Sequence, residues 1–156
     1  MNLKGKSVLI TGGTGSFGSN FVKMLLDETG IDAIRVYSRD EHKQSELLER
    51  LNNDARLRCI LGDIRDLGQI TLASRGVDYI VHAAAYKNMP MAETNPVECA
   101  KTNVFGSENV IRAALENNVD SCLLISTDKA VQPINLYGAT KMVAERLFIN
   151  ANTFRG

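Results

Sequence analysis

The stretch KSVLITGGTGSFG, residues 6–18, determines the fold class. It begins as a short apolar run that ends at glycine, which is the pattern of a buried β-strand. Apolar residues at helical spacing follow it, so a glycine-rich turn joins a strand to a helix. Such a turn brings backbone N–H groups and the positive helix N-terminus together, where a pyrophosphate binds. The alternative is a glycine-rich turn without a ligand. The predicted binding residues are Gly12, Gly15, Ser16, Phe17 and Gly18.

The rest of the chain alternates strand-like and helix-like segments. Apolar runs predict strands at 6–11, 33–38, 57–62, 78–83 and 121–126. Helical spacing predicts helices at 16–29, 41–53, 66–74, 96–117 and 137–151, with a loop over 84–95. Strands that alternate with helices run parallel and are joined by right-handed crossovers. Residues 1–156 are therefore predicted to form one α/β domain, a Rossmann-like, doubly wound parallel sheet of order 3-2-1-4-5.

Composition argues against several classes of protein. The 156 residues are 44% hydrophobic and 23% charged, which is an ordinary balance for a globular domain. Eighteen Lys and Arg balance eighteen Asp and Glu, so the zero net charge argues against a nucleic-acid partner. No apolar run approaches the ~18 residues of a membrane helix, and the N-terminus lacks a signal-peptide pattern. We therefore expect a cytoplasmic protein with no membrane partner.

The three cysteines, Cys59, Cys99 and Cys122, predict neither a disulfide framework nor a metal site, because they stand far apart and lack CxxC spacing. Cys59 and Cys122 fall inside apolar runs and are predicted to be small core residues. His82, at the end of the fourth strand, is predicted to be packed or cofactor-adjacent and not a catalyst.

The residues after the second strand indicate which dinucleotide would bind. In sheets of this type an Asp or Glu there favours NAD, whereas a nearby Arg accommodates the 2′-phosphate of NADP. The chain offers Ser38, Arg39, Asp40 and Lys43. The two cations would pair with the phosphate and Ser38 would hydrogen-bond it, so we expect NADP in preference to NAD. The alternative is that Arg39 and Lys43 form a solvated cluster at the start of the helix.

The ends of the third and fourth strands complete the predicted cofactor site, because ligands of such sheets bind at the carboxyl ends of the strands. Asp63 is placed to contact adenine, or alternatively is a turn carboxylate that caps the next segment. The other predicted cofactor residues here are Ile64, Ala83, Ala84 and Ala85.

Tyr137 and Lys141 are predicted to act together. They are four residues apart and therefore project from one face of the last helix. A neighbouring ammonium and a bound nicotinamide cation favour the phenolate, which can accept a proton from a substrate hydroxyl.

The segment Ser126-Thr127-Asp128-Lys129 places an acid and a base side by side at the carboxyl end of the fifth strand. This pair suits the elimination of water, because Asp128 would protonate a departing hydroxyl while Lys129 removes a proton from the adjacent carbon. The alternative is a surface turn with a local ion pair.

Together these motifs resemble those of the extended short-chain dehydrogenases/reductases that modify nucleotide sugars, in which Tyr137 and Lys141 form the Y-x-x-x-K element. More narrowly, the chain resembles the inverting UDP-N-acetylglucosamine 4,6-dehydratases of bacterial polysaccharide and flagellin-glycan synthesis. The most specific segment is Thr127-Asp128-Lys129, because the dTDP-glucose dehydratases carry Thr-Asp-Glu there. The matching segments, which extend over essentially the whole chain, are 11–18, 38–41, 62–66, 82–87, 95–96, 102–104, 126–131, 133 and 137–141.

The resemblance implies a mechanism. Tyr137 takes the proton of the C4 hydroxyl as hydride passes from C4 to NADP, and Lys141 holds the cofactor ribose. Lys129 removes the C5 proton, Asp128 protonates the leaving C6 hydroxyl, and hydride returns to C6. In the inverting enzymes C5 is reprotonated from the opposite face.

The resemblance also implies substrate contacts. Thr127 would hydrogen-bond the sugar O4, Ser126 would lie beside it, and Lys87 would lie near both cofactor and substrate. One departure lies in the loop after the fourth strand, where the family has Lys-His-Val-Pro and this chain has Lys87-Asn88-Met89-Pro90.

The resemblance implies a longer protein, because members of this family run to roughly twice the length of this chain, in line with two-domain α/β enzymes. The chain is therefore expected to lack the later strands and the sugar-nucleotide lobe, and to be inactive alone. Relatives often pair through their fourth and fifth helices, so a homo-oligomer is expected.

The alternatives to a dehydratase are a nucleotide-sugar 4-epimerase or reductase and a non-catalytic NADP-binding module. Asp128 and Lys129 favour the dehydratase, because an epimerase needs no acid and base for water loss.

Overall fold

Residues 3–154, which the computed structural model describes, form a five-stranded parallel sheet. The order is β3-β2-β1-β4-β5, as predicted, so β1 pairs with β2 on one side and with β4 on the other. The chain leaves β1 toward β2 and leaves β4 toward β5, so the loops after these two strands diverge and open a crevice at the carboxyl ends of the strands. The strands are β1 (Ser7–Thr11), β2 (Ala33–Ser38), β3 (Leu57–Leu61), β4 (Tyr79–His82) and β5 (Ser121–Leu124).

Helices cover the sheet on both faces. They are α1 (Ser16–Glu28), α2 (Glu41–Arg50), α3 (Leu67–Ala73), α4 (Met89–Thr94), α5 (Pro96–Ala100), α6 (Gly106–Glu116) and α7 (Leu136–Ala151). Within residues 3–154, no helix is long and apolar enough to cross a membrane. The prediction that the second helix continues to residue 53 is wrong. It ends at Arg50 because Asn52 and Asn53 adopt left-handed backbone conformations, with φ of 53° and 50°.

The predicted long helix after residue 96 is present, but it contains a π-helical turn over Lys101–Phe105 that the sequence pattern did not indicate. The backbone stays helical at both junctions, at Ala100 and Gly106, so α5, the π turn and α6 are continuous. A Cβ on Gly106 would lie 2.7 Å from Ile64 Cδ1, so the helix runs very close to the loop after β3. Single π turns of this kind frequently occur at functional sites.

The segment predicted as a loop, residues 84–95, contains the short helix α4. Asn88 caps it by accepting a hydrogen bond from Met91 N at 3.1 Å. Pro90 lies in the first turn, where a missing N–H costs little. Six residues are too few for helical periodicity to be recognised, which explains why the sequence did not reveal this helix.

Each face of the sheet has its own apolar core, since successive residues of β1 point to opposite faces. The core under α1 and α2 includes Val8, Ile10, Val22, Ile34, Val36 and Leu47. The core under α3 and α6 includes Leu9, Tyr37, Ile70, Ile80 and Val110. Cys59 packs against the first core and Cys122 against the second, both from partly buried positions, in agreement with their predicted role.

The edge strand β5 departs from the prediction in two respects. It ends at Leu124 and not at residue 126, because its partner β4 ends at His82, opposite Leu124, and the carbonyl of the next residue, Ile125, accepts from Lys141 Nζ at 2.7 Å. It is also not covered on both faces, because the Leu123 side chain is 56% exposed. An apolar cavity of about 430 Å³ lies beside it, bordered by Phe21, Met24 and Leu123.

An ion-pair cluster ties the strands together at the opposite, amino end of the sheet. Lys6 Nζ lies 2.8 Å from Asp78 Oδ1 and 3.0 Å from Asp120 Oδ2. Asp78 also accepts hydrogen bonds from the Ser7 N–H and hydroxyl, each at 2.8 Å. These hydrogen bonds, from Lys6 first and then from Ser7, lower the pKa of Asp78 to about 2. The cluster therefore links the starts of β1, β4 and β5.

Candidate active site

A cavity of about 870 Å³ lies at the carboxyl ends of β1, β2, β3 and β4. Apart from Tyr137 and Lys141, every residue predicted to bind the dinucleotide lines it. These residues are Gly12, Gly15, Ser16, Phe17, Gly18, Ser38, Arg39, Asp40, Lys43, Asp63, Ile64, Ala83, Ala84, Ala85 and Lys87. The sequence did not single out Thr14, Tyr37, Leu61, Gly62 or Thr102, which also line the cavity. An elongated cavity at this point of a doubly wound sheet is where a dinucleotide binds.

The shape of the loop after β1 depends on two glycines. Gly12 has a φ of +69°, and a Cβ there would lie 2.7 Å from Ala84 N, in the loop after β4. A Cβ on Gly18 would lie 2.5 Å from Gly13 Cα. Because these neighbours are backbone atoms, no side chain fits at either position without moving the loop. The glycines therefore hold the first turn of α1 against its own loop and against the end of β4.

The N-terminus of α1 differs from those of the other helices that follow loops. Side chains of Asp40, Asp66, Asn88 and Asn135 accept hydrogen bonds from the first turns of α2, α3, α4 and α7. At α1 the capping position is Gly15, and no side chain within residues 3–154 caps this helix. Its first turn carries no acidic residue either. The free N–H groups and the helix dipole therefore point to an anion, as a pyrophosphate requires.

At the end of β2, Asp40 caps α2 and also pairs with Lys43. Asp40 Oδ1 accepts from the Lys43 N–H at 3.1 Å, and Lys43 Nζ lies 3.6 Å from Asp40 Oδ2. The backbone hydrogen bond from Lys43 is the main cause of a pKa of Asp40 below its ordinary value. The Ser38 hydroxyl accepts a hydrogen bond from Gln44 Nε2 at 3.0 Å. Lys43 therefore already has a carboxylate partner.

Asp63 and Arg65, two residues apart in the loop after β3, are joined by hydrogen bonds from the backbone and the side chain of Arg65. Asp63 Oδ1 accepts from the Arg65 N–H at 2.9 Å, and Oδ2 accepts from Arg65 Nε and Nη2 at 2.9 and 2.6 Å. Partial burial opposes ionisation, but the hydrogen bonds from Arg65 outweigh it and lower the pKa of Asp63. Asp63 therefore caps the turn, as one of the two sequence interpretations proposed. Its contact with adenine stays a prediction.

His82 is buried beneath the cavity with no exposed surface. Its Nδ1 lies 2.6 Å from Thr11 Oγ1, and its Nε2 lies 3.0 Å from Ser107 Oγ. Because the Ser107 hydroxyl donates to the Asn103 carbonyl, it can only accept from His82, which assigns the proton to Nε2. Burial, and secondarily the charge of Lys141, lowers the pKa of His82 to about 3. His82 is therefore a neutral, packed residue, as predicted.

Asn103, on the π turn, is a functional candidate that sequence reasoning missed. Its Oδ1 accepts from the Tyr86 N–H at 2.7 Å, and its Nδ2 donates to the Tyr86 carbonyl at 3.0 Å. The same Nδ2 donates to Thr140 Oγ1 on α7 at 3.0 Å. Asn103 thus links the loop after β4 to α7 from a position that is 1% exposed. The sequence did contain a signal, because Asn103 is an amide among the apolar positions of a predicted helix. Burying an amide costs free energy unless the amide is hydrogen-bonded.

Tyr137 and Lys141 lie near the end of β5 and do not line the cavity. Lys141 is 3% exposed and donates to the Ile125 carbonyl at 2.7 Å. Burial lowers the pKa of Lys141 to about 8, although Glu145 acts in the opposite direction. Tyr137 is half-buried one turn earlier on the same helix. The two residues therefore share a helix face, with the ammonium fixed to the end of β5.

The segment Thr127–Lys129 forms an exposed turn, continuing as a single 3₁₀ turn over Asp128–Ala130. Thr127 Oγ1 donates to Asp128 Oδ1 at 3.0 Å, and Lys129 Nζ lies 3.4 Å from the same oxygen. The hydrogen bond from Thr127, followed by that from Lys129, holds the pKa of Asp128 below its ordinary value. The Asp128 side chain is 86% exposed. The turn therefore contains the local ion pair that one sequence interpretation proposed.

The turn packs directly on the helix that carries Tyr137. A Cβ on Gly138 would lie 2.1 Å from the Lys129 carbonyl oxygen, so the two backbones are in contact. Asn135 caps α7 by accepting from the Gly138 N–H at 2.8 Å, and Glu93 on α4 accepts from the Leu136 N–H at 2.8 Å. The Ser126 hydroxyl donates to Glu145 on α7. These contacts place the acid–base turn, α4 and the Tyr137 helix side by side.

Comparison with known sequences identifies the family. Residues 8–156 match the model of the polysaccharide biosynthesis protein family. The chain is 50% identical over 97% of its length to a UDP-N-acetylglucosamine 4,6-dehydratase (inverting) of Campylobacter jejuni, and covers 45% of that protein. It is 46% identical over 92% of its length to a UDP-glucose 4-epimerase of Rickettsia massiliae, and covers 43% of it. The chain thus spans less than half the length of these relatives.

Solved structures share the fold. Pen from Bacillus thuringiensis is 40% identical with a TM-score of 0.93, over 98% of this chain and 47% of Pen. DesIV, a dTDP-glucose 4,6-dehydratase from Streptomyces venezuelae solved with NAD bound, is 29% identical with a TM-score of 0.83, over 90% of this chain and 50% of DesIV. The sequence and structural matches extend over nearly all of the chain, and the chain therefore belongs to the polysaccharide biosynthesis protein family.

Proposed function

We propose that this chain carries the cofactor-binding and catalytic residues of an NADP-dependent 4,6-dehydratase acting on UDP-N-acetylglucosamine. The observation that carries the proposal is the contact between Gly138 and the Lys129 carbonyl. It places an adjacent acid and base against the helix that bears Tyr137 and Lys141. A C4 oxidation needs only the tyrosine and lysine, whereas water loss from the neighbouring carbons also needs an acid and a base.

The cavity fits a nicotinamide dinucleotide. The uncapped N-terminus of α1 suits the pyrophosphate, and Gly12 and Gly18 let the loop before this helix pack closely where a Cβ would meet backbone. Arg39 lies at the end of β2 with a side chain that is 59% exposed, in the place where a 2′-phosphate would bind. DesIV was solved with NAD, and Arg39 is the reason for proposing NADP for this chain.

In the first step, Tyr137 accepts the proton of the sugar C4 hydroxyl. Lys141, one turn further along the same helix, is fixed by the Ile125 carbonyl, and its ammonium would hold the cofactor ribose. A bound nicotinamide ring would supply the hydride acceptor for C4 and later return the hydride to C6. A lysine with a pKa of about 8 also responds to changes in charge near neutral pH.

In the second step, Lys129 removes the C5 proton and Asp128 protonates the leaving C6 hydroxyl, so that water departs. When hydride returns to C6, C5 takes up a proton from the opposite face, which completes the 4-keto-6-deoxy sugar. The exposed Asp128 carboxyl is ionised at neutral pH, and the hydrogen bonds from Thr127 and Lys129 hold its pKa below the ordinary value. To act as an acid, it must lose these partners or be desolvated, and a sugar seated on the turn would do both. Thr127 is then free to hydrogen-bond the sugar O4, with Ser126 and Lys87 beside the substrate.

A UDP-sugar 4-epimerase is the second candidate, because the Rickettsia massiliae relative with that name is 46% identical. Both reactions would use Tyr137 and Lys141 in the same way. They differ in their need for Asp128 and Lys129, so the product discriminates between them. A non-catalytic dinucleotide-binding module is the third candidate.

A homo-oligomer is part of the proposal. Apolar side chains are exposed along the long helix and along α7, namely Val97, Phe105 and Ile149, at 62%, 57% and 62%. Burial of such side chains between two copies would stabilise a dimer.

A chimaera tests the function, since the chain spans less than half of its relatives. In it, this chain replaces the matching segment of the Campylobacter jejuni dehydratase, and folding is checked by circular dichroism and gel filtration. UDP-N-acetylglucosamine and NADP are supplied and the product is followed by NMR. We expect a 4-keto-6-deoxy sugar from the chimaera and none from the 156-residue chain alone. A folded, cofactor-binding chimaera that returns the sugar unchanged, or as its C4 epimer, would contradict the dehydratase proposal.

A further inference from the structure

The two cations after β2 differ in the carboxylates available to them. Lys43 is paired with Asp40, which the same segment supplies and which also caps α2. Arg39 faces Asp63 across the loop after β3, with Nη1 at 3.8 Å from Asp63 Oδ2. This separation is too long for a hydrogen bond, so Arg39 is near a carboxylate without being bound to it.

The reason Asp63 does not bind Arg39 is that Arg65 already occupies it. Three hydrogen bonds from Arg65 fill both oxygens of Asp63, at 2.6 to 2.9 Å. Two guanidinium N–H groups, of Nε and Nη2, donate to the same oxygen, Oδ2, and charge-assisted hydrogen bonds of this kind are stronger than neutral ones. The carboxylate is only 23% exposed, compared with 59% for the Arg39 side chain. Asp63 is therefore held mainly by Arg65, and the exposed Arg39 side chain lies at the cavity without a hydrogen bond to Asp63.

Arg65 is itself held from the opposite side. Its Nη1 lies 2.5 Å from Glu98 Oε2 on α5, and the other oxygen of Glu98 lies 3.2 Å from Lys101 Nζ. Two carboxylates thus orient one guanidinium, and α5 and the π turn anchor the charge pattern at the edge of the cavity. Positive and negative side chains therefore alternate along a row of ion pairs, which runs through Lys101, Glu98, Arg65, Asp63 and Arg39.

We infer that Arg65 is a positioning residue that sets the choice between NADP and NAD, by occupying Asp63 so that Arg39 stays available for a 2′-phosphate. The inference rests on the proposed NADP-binding function. Without the Arg65 side chain, Asp63 Oδ2 loses both of its side-chain hydrogen bonds, and because it lies 3.8 Å from Arg39 Nη1 it becomes the partner of Arg39. The freed carboxylate also repels a phosphate. NAD carries no 2′-phosphate, so its affinity does not depend on this competition.

Fluorescence titrations of NADPH and NADH into the 156-residue chain test the inference. The readout is the ratio of the two dissociation constants, which a general loss of structure would leave unchanged. In Arg65→Gln we expect the preference for NADPH to fall about three- to tenfold, corresponding to the typical strength of one partly exposed charge pair. The double variant Arg65→Gln/Asp63→Asn should recover the preference, because no carboxylate remains to capture Arg39.

Matched variants keep the outcome clear. Arg112→Gln removes the same charge from the exposed surface of α6 and should leave the ratio unchanged. Glu98→Gln removes the ion pair that holds Arg65 on the side away from Asp63. It should lower the preference for NADPH by a smaller factor, and it provides a second test if Arg65→Gln does not fold. If the ratio of the NADPH and NADH dissociation constants is unchanged in Arg65→Gln, the inference is overturned; Glu98→Gln serves for this comparison if Arg65→Gln does not fold. A double variant with the same lowered preference for NADPH as Arg65→Gln would also overturn it.

The wild-type chain and Arg39→Gln address the underlying function separately. A wild-type chain that prefers NADPH, with a preference that Arg39→Gln removes, supports the proposed cofactor. Equal affinities for the two cofactors, unaffected by Arg39→Gln, would overturn the NADP proposal. A preference that depends on Arg39 but not on Arg65 would overturn the inference alone.

Discussion

The dinucleotide region, residues 12–65 around the cavity, and the catalytic region, residues 126–141, are built in opposite ways. In the first, backbone meets backbone at Gly12 and Gly18, and Asp63 is enclosed by three hydrogen bonds. In the second, Asp128 and Lys129 project from a short exposed turn and pair only with each other and with Thr127. The binding region is preorganised in the chain itself, whereas the catalytic region leaves its acid and base in water.

This difference has a chemical meaning. Positioning a cofactor requires rigid donors that are present before the ligand arrives. An acid that must donate a proton near neutral pH needs desolvation, which an exposed carboxyl lacks until a substrate covers it. We therefore expect substitutions in the dinucleotide region to affect binding and stability, and substitutions in the exposed turn to affect only catalysis.

The largest effect is expected for Gly18→Ala. The new Cβ would lie 2.5 Å from Gly13 Cα, so the loop must move away from the phosphate position. We expect a loss of stability of about 2–3 kcal/mol and at least a hundredfold weaker NADPH binding, measured by urea unfolding and fluorescence titration. Gly68→Ala is the matched control. Its Cβ meets only Asp66 Oδ1, at 3.4 Å, inside α3, so it should be neutral or slightly stabilising. Equal losses in both variants would contradict the account.

A second effect is the loss of stability in acid caused by His82, which underlies both regions. Its pKa of about 3 lies below the unfolded value of about 6.5, so the unfolded chain binds the extra proton between these pH values. The contribution of His82 is therefore complete above pH 6.5 and is lost as the pH falls toward 3. The expected slope is up to about 1.4 kcal/mol per pH unit, or about 2 kcal/mol between pH 6.5 and 4.5.

Urea unfolding of the wild type and of His82→Gln at several pH values checks this slope. The variant should be less stable near neutrality, because it lacks the imidazole contacts, yet flatter between pH 6.5 and 4.5. Asp54 and Asp78, whose pKa values are about 2, become important only below pH 3.8 and should not disturb this window. Parallel slopes in the two proteins would show that His82 is not the titrating group.

Asn103→Ala should have an intermediate effect on stability, since it removes the hydrogen bonds that link the loop after β4 to α7. The variant leaves the Tyr86 amide and carbonyl without their partner in a half-buried loop and frees Thr140 on α7. We expect about 1–3 kcal/mol of destabilisation in urea unfolding, with a weaker hold on the cofactor. The control Asn20→Ala removes only a hydrogen bond to Ser16 within the exposed surface of α1 and should not destabilise the chain. A similar stability of Asn103→Ala and wild type would remove the proposed link.

Particular residues show how much of this could be predicted from the sequence. The order of the strands and nearly all of the cavity lining followed from local signals, because glycines and apolar runs act on their immediate neighbours. The π turn and the end of β5 at Leu124 did not, because each involves contacts with distant parts of the chain. The short α4 did not because six residues are too few to show helical periodicity. Gly106 packs on Ile64, and Lys141 binds the Ile125 carbonyl.

The candidate site shows the same limit. Sequence reasoning identified Asp63 and Asp128 by position but could not decide their partners. In the structure, Arg65 hydrogen-bonds Asp63, whereas Thr127 and Lys129 hydrogen-bond Asp128. Asn103 received no role from the sequence, because the side chain makes its hydrogen bonds to Tyr86 and Thr140, which lie 17 and 37 positions away.

The smallest effect on binding is expected for Asp128→Asn. The side chain is exposed and outside the cavity, so the NADPH dissociation constant should stay within about twofold of the wild type, and unfolding should be unchanged. In the chimaera with the Campylobacter jejuni dehydratase, the same variant should lose most of the dehydration activity, because the acid is absent. Full activity of this variant would remove Asp128 from the mechanism.

The NADPH dissociation constant of the unmodified 156-residue chain tests the central claim most directly, because the claim is that these residues alone form the dinucleotide site. A fluorescence titration, with folding confirmed by circular dichroism in the same sample, should show saturable binding with one NADPH per chain. A folded chain whose titration shows no saturation would contradict the claim that the cavity between β1, β2, β3 and β4 is a preorganised cofactor site.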